Sequence, residues 1–126
     1  MALTRKKPFI CKPRIRVLAA GCIALGPGKV DLLEAIQRTG SISQAAKENH
    51  LSYRRAWDMV DTMNRCFKKP LVTGFTGGKG GGGAALTPLG KRMVLHYRAM
   101  ESAARKATQT DWKTIRKYLK PPPGSS

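Results

Sequence analysis

The chain has 126 residues, with 24 Lys and Arg against 7 Asp and Glu, a formal charge of +17. That length suits one domain with a modest core and is short for a two-domain enzyme. The charge favours a polyanionic partner, nucleic acid before an anionic membrane. Three widely spaced cysteines and two isolated histidines offer neither a disulfide framework nor a zinc set, so no metal and a reducing cytoplasm are expected.

Residues 1–29 carry seven basic side chains and no acid, whereas residues 30–69 hold seven against five. Residues 1–13 read as a basic arm, with a solvated tail as the plain alternative. The stretch "RKKPFICKPRIRVLAAGCIAL" imitates a leader, but Arg14 and Arg16 leave only Val17 to Gly21 ahead of Cys22. A signal peptide needs about 7–15 apolar residues there and a membrane span about 20. Instead, Arg14 to Val17 alternate at the period of a half-buried strand, Ala19-Ala20-Gly21 supplies a turn, and Cys22 to Leu25 return.

After "GPGK", Val30, Leu33 and Ile36 share one helical face, which predicts a helix over about 28–38. Gly40 is its stop signal. Two helix starts then follow closely. Ser43 is placed to cap a helix through Ala45 and Ala46, and Ser52 another running to about Cys66. Between them "ENHLS" leaves room only for a sharp turn. Ala56, Trp57, Val60, Met63 and Phe67 form the inward stripe of the second helix, which completes a helix-turn-helix pattern. An ordinary helical hairpin has the same periodicity. The opposite side tips the reading, because Ser52, Tyr53, Arg54 and Arg55 gather at the N-terminal end, where recognition helices reach base edges. Arg can bind guanine with two parallel hydrogen bonds, and Ser43 and Gln44 at the preceding helix start are placed for the backbone.

Residues 73–90, "TGFTGGKGGGGAALTPLG", hold eight glycines and one lysine. A phosphate-binding P-loop ending at Lys79 would need glycine at Thr73 and a hydroxyl at Gly80. Gly78, Gly80 and Gly83 match a dinucleotide fingerprint only because the run is nearly all glycine, and no βαβ unit houses it. The flanking "PLVTGF" and "AALT" read as short strands, so the run reads as the tip of a wing, with Gly77, Gly78, Lys79 and Gly80 approaching a sugar-phosphate wall. A flexible linker is the plain alternative.

Thr87-Pro88 opens a further helix, about 88–107. Leu89, Met93, His96, Met100, Ala103 and Ala107 recur at alternating steps of four and three, a seam that a second copy would cover economically. A helix that caps the monomer core is the plain alternative. Thr110 to Leu119, with Trp112 and Ile115, adds a short amphipathic piece, and 121–126 form a tail. The fold class is therefore mainly α with small β-hairpins, a winged helix-turn-helix over 14–120 with a long C-terminal dimerisation helix.

The stretches "TGSISQAAKENHLSYRRAWDMVDTMNRCF" and "TGGKGGGGAALTPLG" resemble the N-terminal DNA-binding domain of the ModE family, the molybdate-responsive transcriptional regulators. The likeness covers roughly residues 27–105. It implies a homodimer joined largely through the helix after the wing, where the spacing puts the seam of Leu89, Met93, His96 and Met100, bound to double-stranded DNA at promoter palindromes. It also puts Ser43, Gln44, Ser52, Tyr53, Arg54 and Arg55 in the contact region and Gly77 to Gly83 on the wing. Full-length members continue into small molybdate-binding β-barrel modules. This chain is expected to be a stand-alone relative, and a molybdate or tungstate effector finds no support in it. Rival expectations are a regulator with an oxyanion or metal site at the dimer interface, and a non-specific architectural protein. With no paired carboxylates, activated nucleophile or cofactor loop, neither an enzyme nor a cofactor is expected.

Overall fold

The computed structural model describes residues 9–74 and 83–121. Antiparallel strands β1 (Val17–Ala19) and β2 (Cys22–Leu25) lead into helices α1 (Pro27–Thr39), α2 (Ile42–Glu48) and α3 (Tyr53–Cys66). Strands β3 (Val72–Thr73) and β4 (Ala85–Leu86) then pair as the base of a ribbon, followed by α4 (Pro88–Ala107) and α5 (Gln109–Lys117).

The first hairpin forms later than the alternation predicts, at Val17–Ala19 rather than Arg14–Val17. A bulge between Val17 and Leu18 breaks the register, and the turn narrows to Ala20-Gly21, both at positive φ (44° and 87°). Glycine accepts that conformation freely and alanine only at a cost. Helix α1 starts one residue early, because Pro27 at the first helical position needs no amide partner, and it stops at Gly40 in the left-handed region (φ 71°).

Ser43 does not cap α2. Ser41 holds the N-cap position and accepts a hydrogen bond from the Gln44 amide at 3.1 Å, which puts Ser43 and Gln44 in the exposed first turn. The reason is Ile42, whose burial sets the helix phase and needs one more residue of helix ahead of Ser43. Ser52 does cap α3, accepting from the Arg55 amide at 3.0 Å. The α2–α3 turn is closed by the Leu51 amide on the Ala46 carbonyl (2.9 Å), with His50 at φ 56°.

The core lies where α1, α2, α3 and the ribbon base meet. Val30, Leu32, Leu33 and Ile36 face Ala45 and Ala46, whose small side chains let α2 cross closely. Ala56, Val60 and Met63 complete the seam from α3, while Trp57 and Phe67 pack half-buried at its margin. Helix α4 adds Val94 and Tyr97, and the Tyr97 hydroxyl donates to the Ile15 carbonyl at 2.6 Å. An ionic clasp ties α4 to α1, in which Arg98 donates to Asp31 (2.7 Å), Glu34 (2.7 Å) and its own-helix neighbour Glu101 (2.8 Å).

Candidate nucleic-acid interface

The tip of α3 is built from its cap outward. With Ala56, Val60 and Met63 committed to the core, helical geometry turns Arg54 and Arg55 away from it; Tyr53 shares the core's side of the helix, yet at the helix start it too is exposed. The Arg54 side chain is 84% exposed and touches Asp58 one turn on at 3.4 Å, a loose surface pair of little energetic weight. Arg55 makes no ion pair among the described residues. Ser43 and Gln44 stand exposed on the neighbouring first turn of α2.

Lys29 of α1 is a cation that sequence reasoning passes over. Burial, and next the nearby Arg55 guanidinium, hold its ammonium below the usual lysine range. An anion between Lys29 and Arg55 would relieve that repulsion. Its signal in sequence is faint, one lysine in a first helical turn.

The ribbon base is fastened to this assembly by Asn64. Its Oδ1 accepts from the Leu71 and Val72 amides (2.8 and 3.2 Å), and its Nδ2 donates to the Val72 carbonyl (3.0 Å). From the other strand, the Ala84 amide donates to the Gly40 carbonyl at 2.9 Å. The ribbon therefore rises from the junction of α1 and α3. Gly74 (φ 78°) sits across from the Gly83 carbonyl, where a methyl group would lie 2.8 Å from its oxygen. Gly77, Gly78, Lys79 and Gly80 lie outside the described residues.

On α4, the expected seam divides. Leu89 and Met93 rest partly against the core, while His96 and Met100 are exposed. The face turned fully inward is the adjacent one, Gly90, Val94, Tyr97 and Glu101. Among the described residues, no three His, Cys, Asp or Glu side chains gather as a metal site, and no helix is long and apolar enough to cross a membrane.

A sharp α2–α3 turn, an outward cationic tip and a ribbon anchored beside it define a winged helix-turn-helix of the DNA-binding kind. Residues 28–91 match the bacterial regulatory helix-turn-helix proteins of the lysR family, and the chain belongs to that family. It is 53% identical over 78 residues to the molybdenum transport protein ModE of Azotobacter vinelandii, covering 62% of this chain and 29% of the relative. It is 47% identical over 91 residues to the molybdenum-pterin-binding protein MopB of Rhodobacter capsulatus, covering 72% and 34%. The dual regulator ModE of Escherichia coli is 44% identical over 81 residues, covering 64% and 31%. The chain thus spans about a third of the length of the curated relatives it matches. Among solved structures, the CbnR DNA-binding domain in its DNA complex superposes with a TM-score of 0.53 at 18% identity, covering 68% of this chain and 94% of that one, a likeness of fold.

Proposed function

We propose that the chain is a sequence-specific, double-stranded-DNA-binding transcriptional regulator of the ModE type, acting as a homodimer in the cytoplasm. The observation that carries this reading is the outward pair Arg54 and Arg55 on a serine-capped helix start, next to a ribbon base. In the major groove the first turns of such a helix reach base edges, and each bidentate Arg–guanine pair discriminates by about 1–3 kcal/mol. Ser43 and Gln44 meet the phosphate backbone, Gly77 to Gly80 with Lys79 follow the adjacent groove, and the arm over residues 1–13 adds affinity without sequence preference.

The homodimer reading is supported by what α4 leaves open. His96 and Met100 are exposed, Leu95 is 69% exposed, and two-fold symmetry would match paired half-sites about one DNA turn apart. The relatives' names tie them to molybdenum. Equilibrium dialysis with molybdate and tungstate, with and without DNA, separates an effector-controlled regulator from a constitutive binder.

The deciding experiment selects bound sequences from a random DNA pool with the wild type, Arg54→Ala and Arg55→Ala. A palindromic consensus is expected, with preference at one position per half-site relaxed by about 1–3 kcal/mol in each variant. Recovery of unrelated sequences by the wild type would replace this reading with a non-specific architectural one.

A further inference from the structure

At the other end of α3 from the arginine tip, two thiols line one cavity. Cys22 opens β2 and Cys66 closes α3, and both line one cavity of about 430 Å3 together with Ala19, Ala20, Thr62 and Arg65. Both are free and half-buried. The Cys22 thiol donates to the Ala19 carbonyl at 3.2 Å, which fixes its sulfur at the cavity wall. Hydrogen bonding with Cys22, and then burial, push the Cys66 thiol up. A disulfide requires Cβ atoms about 3.5–4.5 Å apart, and the position of both free cysteines on one cavity wall is the geometry that such a bond would close. Two sulfurs without a third ligand do not make a zinc site, and among the described residues no third His, Cys, Asp or Glu completes one. Two-electron oxidation is the chemistry left to the pair. Cys11, the third cysteine, is exposed on the segment before β1.

We propose that Cys22 and Cys66 form a modification site, a dithiol that a low-molecular-weight disulfide converts to an intramolecular bond clamping the β1–β2 hairpin onto the C-terminal end of α3. One cysteine, as thiolate, attacks a sulfur of the small disulfide RSSR and expels RS−. The second cysteine, as thiolate, attacks the protein sulfur of the mixed disulfide and expels the other RS−. Two protein thiols are oxidised, one RSSR is reduced to two RSH, and the two cysteine protons end on the released thiolates. The bond closes the chain over residues 23–65, which span α1, α2 and nearly all of α3, and so restricts the unfolded chain strongly. It leaves Ser52 to Arg55 untouched at the far end of the helix. The inference stands apart from the DNA-binding reading.

The test incubates the reduced full chain with glutathione disulfide, alkylates the remaining thiols and maps the peptides by mass spectrometry. A Cys22–Cys66 linkage within one chain is expected, in the wild type and in Cys11→Ser alike. The thermal midpoint should rise by about 10 °C and return on reduction. Cys22→Ser and Cys66→Ser should lose both linkage and rise. Full alkylation of Cys22 and Cys66 while Cys11 carries glutathione, a linkage through Cys11 or between chains, or a Cys22–Cys66 linkage that leaves the midpoint unchanged would each overturn the proposal.

Discussion

The two halves of α4 belong to different environments. Its first ten residues are fused to the domain, with Gly90 against the ribbon base and Val94 and Tyr97 in the core. Beyond Glu101 the helix runs on with Ala103 and Ala107 exposed, and α5 and the residues after it follow with Ile115, Tyr118 and Leu119 open to solvent. A 20-residue helix is about 30 Å long, more than a core of this size can line. The helix up to the Arg98–Glu101 clasp is therefore an element of the fold, and the part beyond it is held by helix propensity, by its caps and by whatever covers it. The contrast teaches that one continuous helix can serve the stability of a domain at one end and remain available for assembly at the other.

The sharpest way to break the fused half is at Gly90. The Thr87 amide donates to the Leu71 carbonyl (2.8 Å), and the Thr87 hydroxyl donates to Pro70 (2.8 Å) while accepting from the Gly90 amide (2.9 Å). That knot draws α4 so close to Leu71 that any side chain at Gly90 would overlap the Leu71 carbonyl oxygen. Backbone has little room to give. Gly90→Ala is expected to cost about 3 kcal/mol, read as a fall of roughly 10 °C in thermal midpoint. A change within 1 °C would mean that α4 can slide away from β3 freely.

Asn64→Ala comes next. It would leave two amides and one carbonyl of the ribbon base without their partner, at about 2 kcal/mol. It should also raise hydrogen-exchange rates at Leu71 and Val72 selectively. Uniform exchange across the chain would show that Asn64 does not hold the ribbon.

The clasp gives a smaller, pH-dependent effect. The hydrogen bond from Arg98, outweighing burial, holds the Glu34 carboxyl below its usual 4.5. A carboxyl with a depressed folded-state pKa stabilises the fold above the unfolded value, and that contribution is lost as pH falls through the folded pKa. Glu34→Gln should therefore be less stable than wild type at pH 7, with the gap closing below about pH 4. Urea melts at both pH values measure it, and a gap that persists at pH 3 would point to packing instead of charge.

How much of this was legible in the sequence depends on whether an element announces itself by apolar spacing or by chemistry. Val30, Leu33 and Ile36, the Ser52 cap and the Thr87-Pro88 start follow local rules, and the structure has them where those rules put them. Ser41 was readable too, since Ser41-Ile42-Ser43-Gln44 has capping-box spacing, yet Ser43 stands two residues away with the same hydroxyl. The inward face of α4 was hidden for a physical reason. Two of its four buried positions are Gly90 and Glu101, buried by close approach and by ion pairing, and neither registers in a hydrophobic pattern. Of the candidate interface, the cationic tip was legible from helical phase. The Asn64 clamp was not, because it joins residues from two elements through backbone groups that sequence does not distinguish.

The smallest stability effect falls on the exposed side of α4 and sharpens the contrast most. Met100 is 46% exposed, on the opposite side of its turn from the Arg98 clasp partners in α1. Replacing an exposed methionine by lysine removes no core contact and adds a good helix former. Met100→Lys should leave the stability of dilute protein within about 0.5 kcal/mol of wild type. If a second copy covers this face, the same variant buries an unpaired ammonium at the contact and weakens self-association by tenfold or more. Sedimentation equilibrium across a concentration series measures that directly. A dimer of unchanged strength would move the contact off this face of α4 and leave the exposed apolar residues of α5 as the place to look.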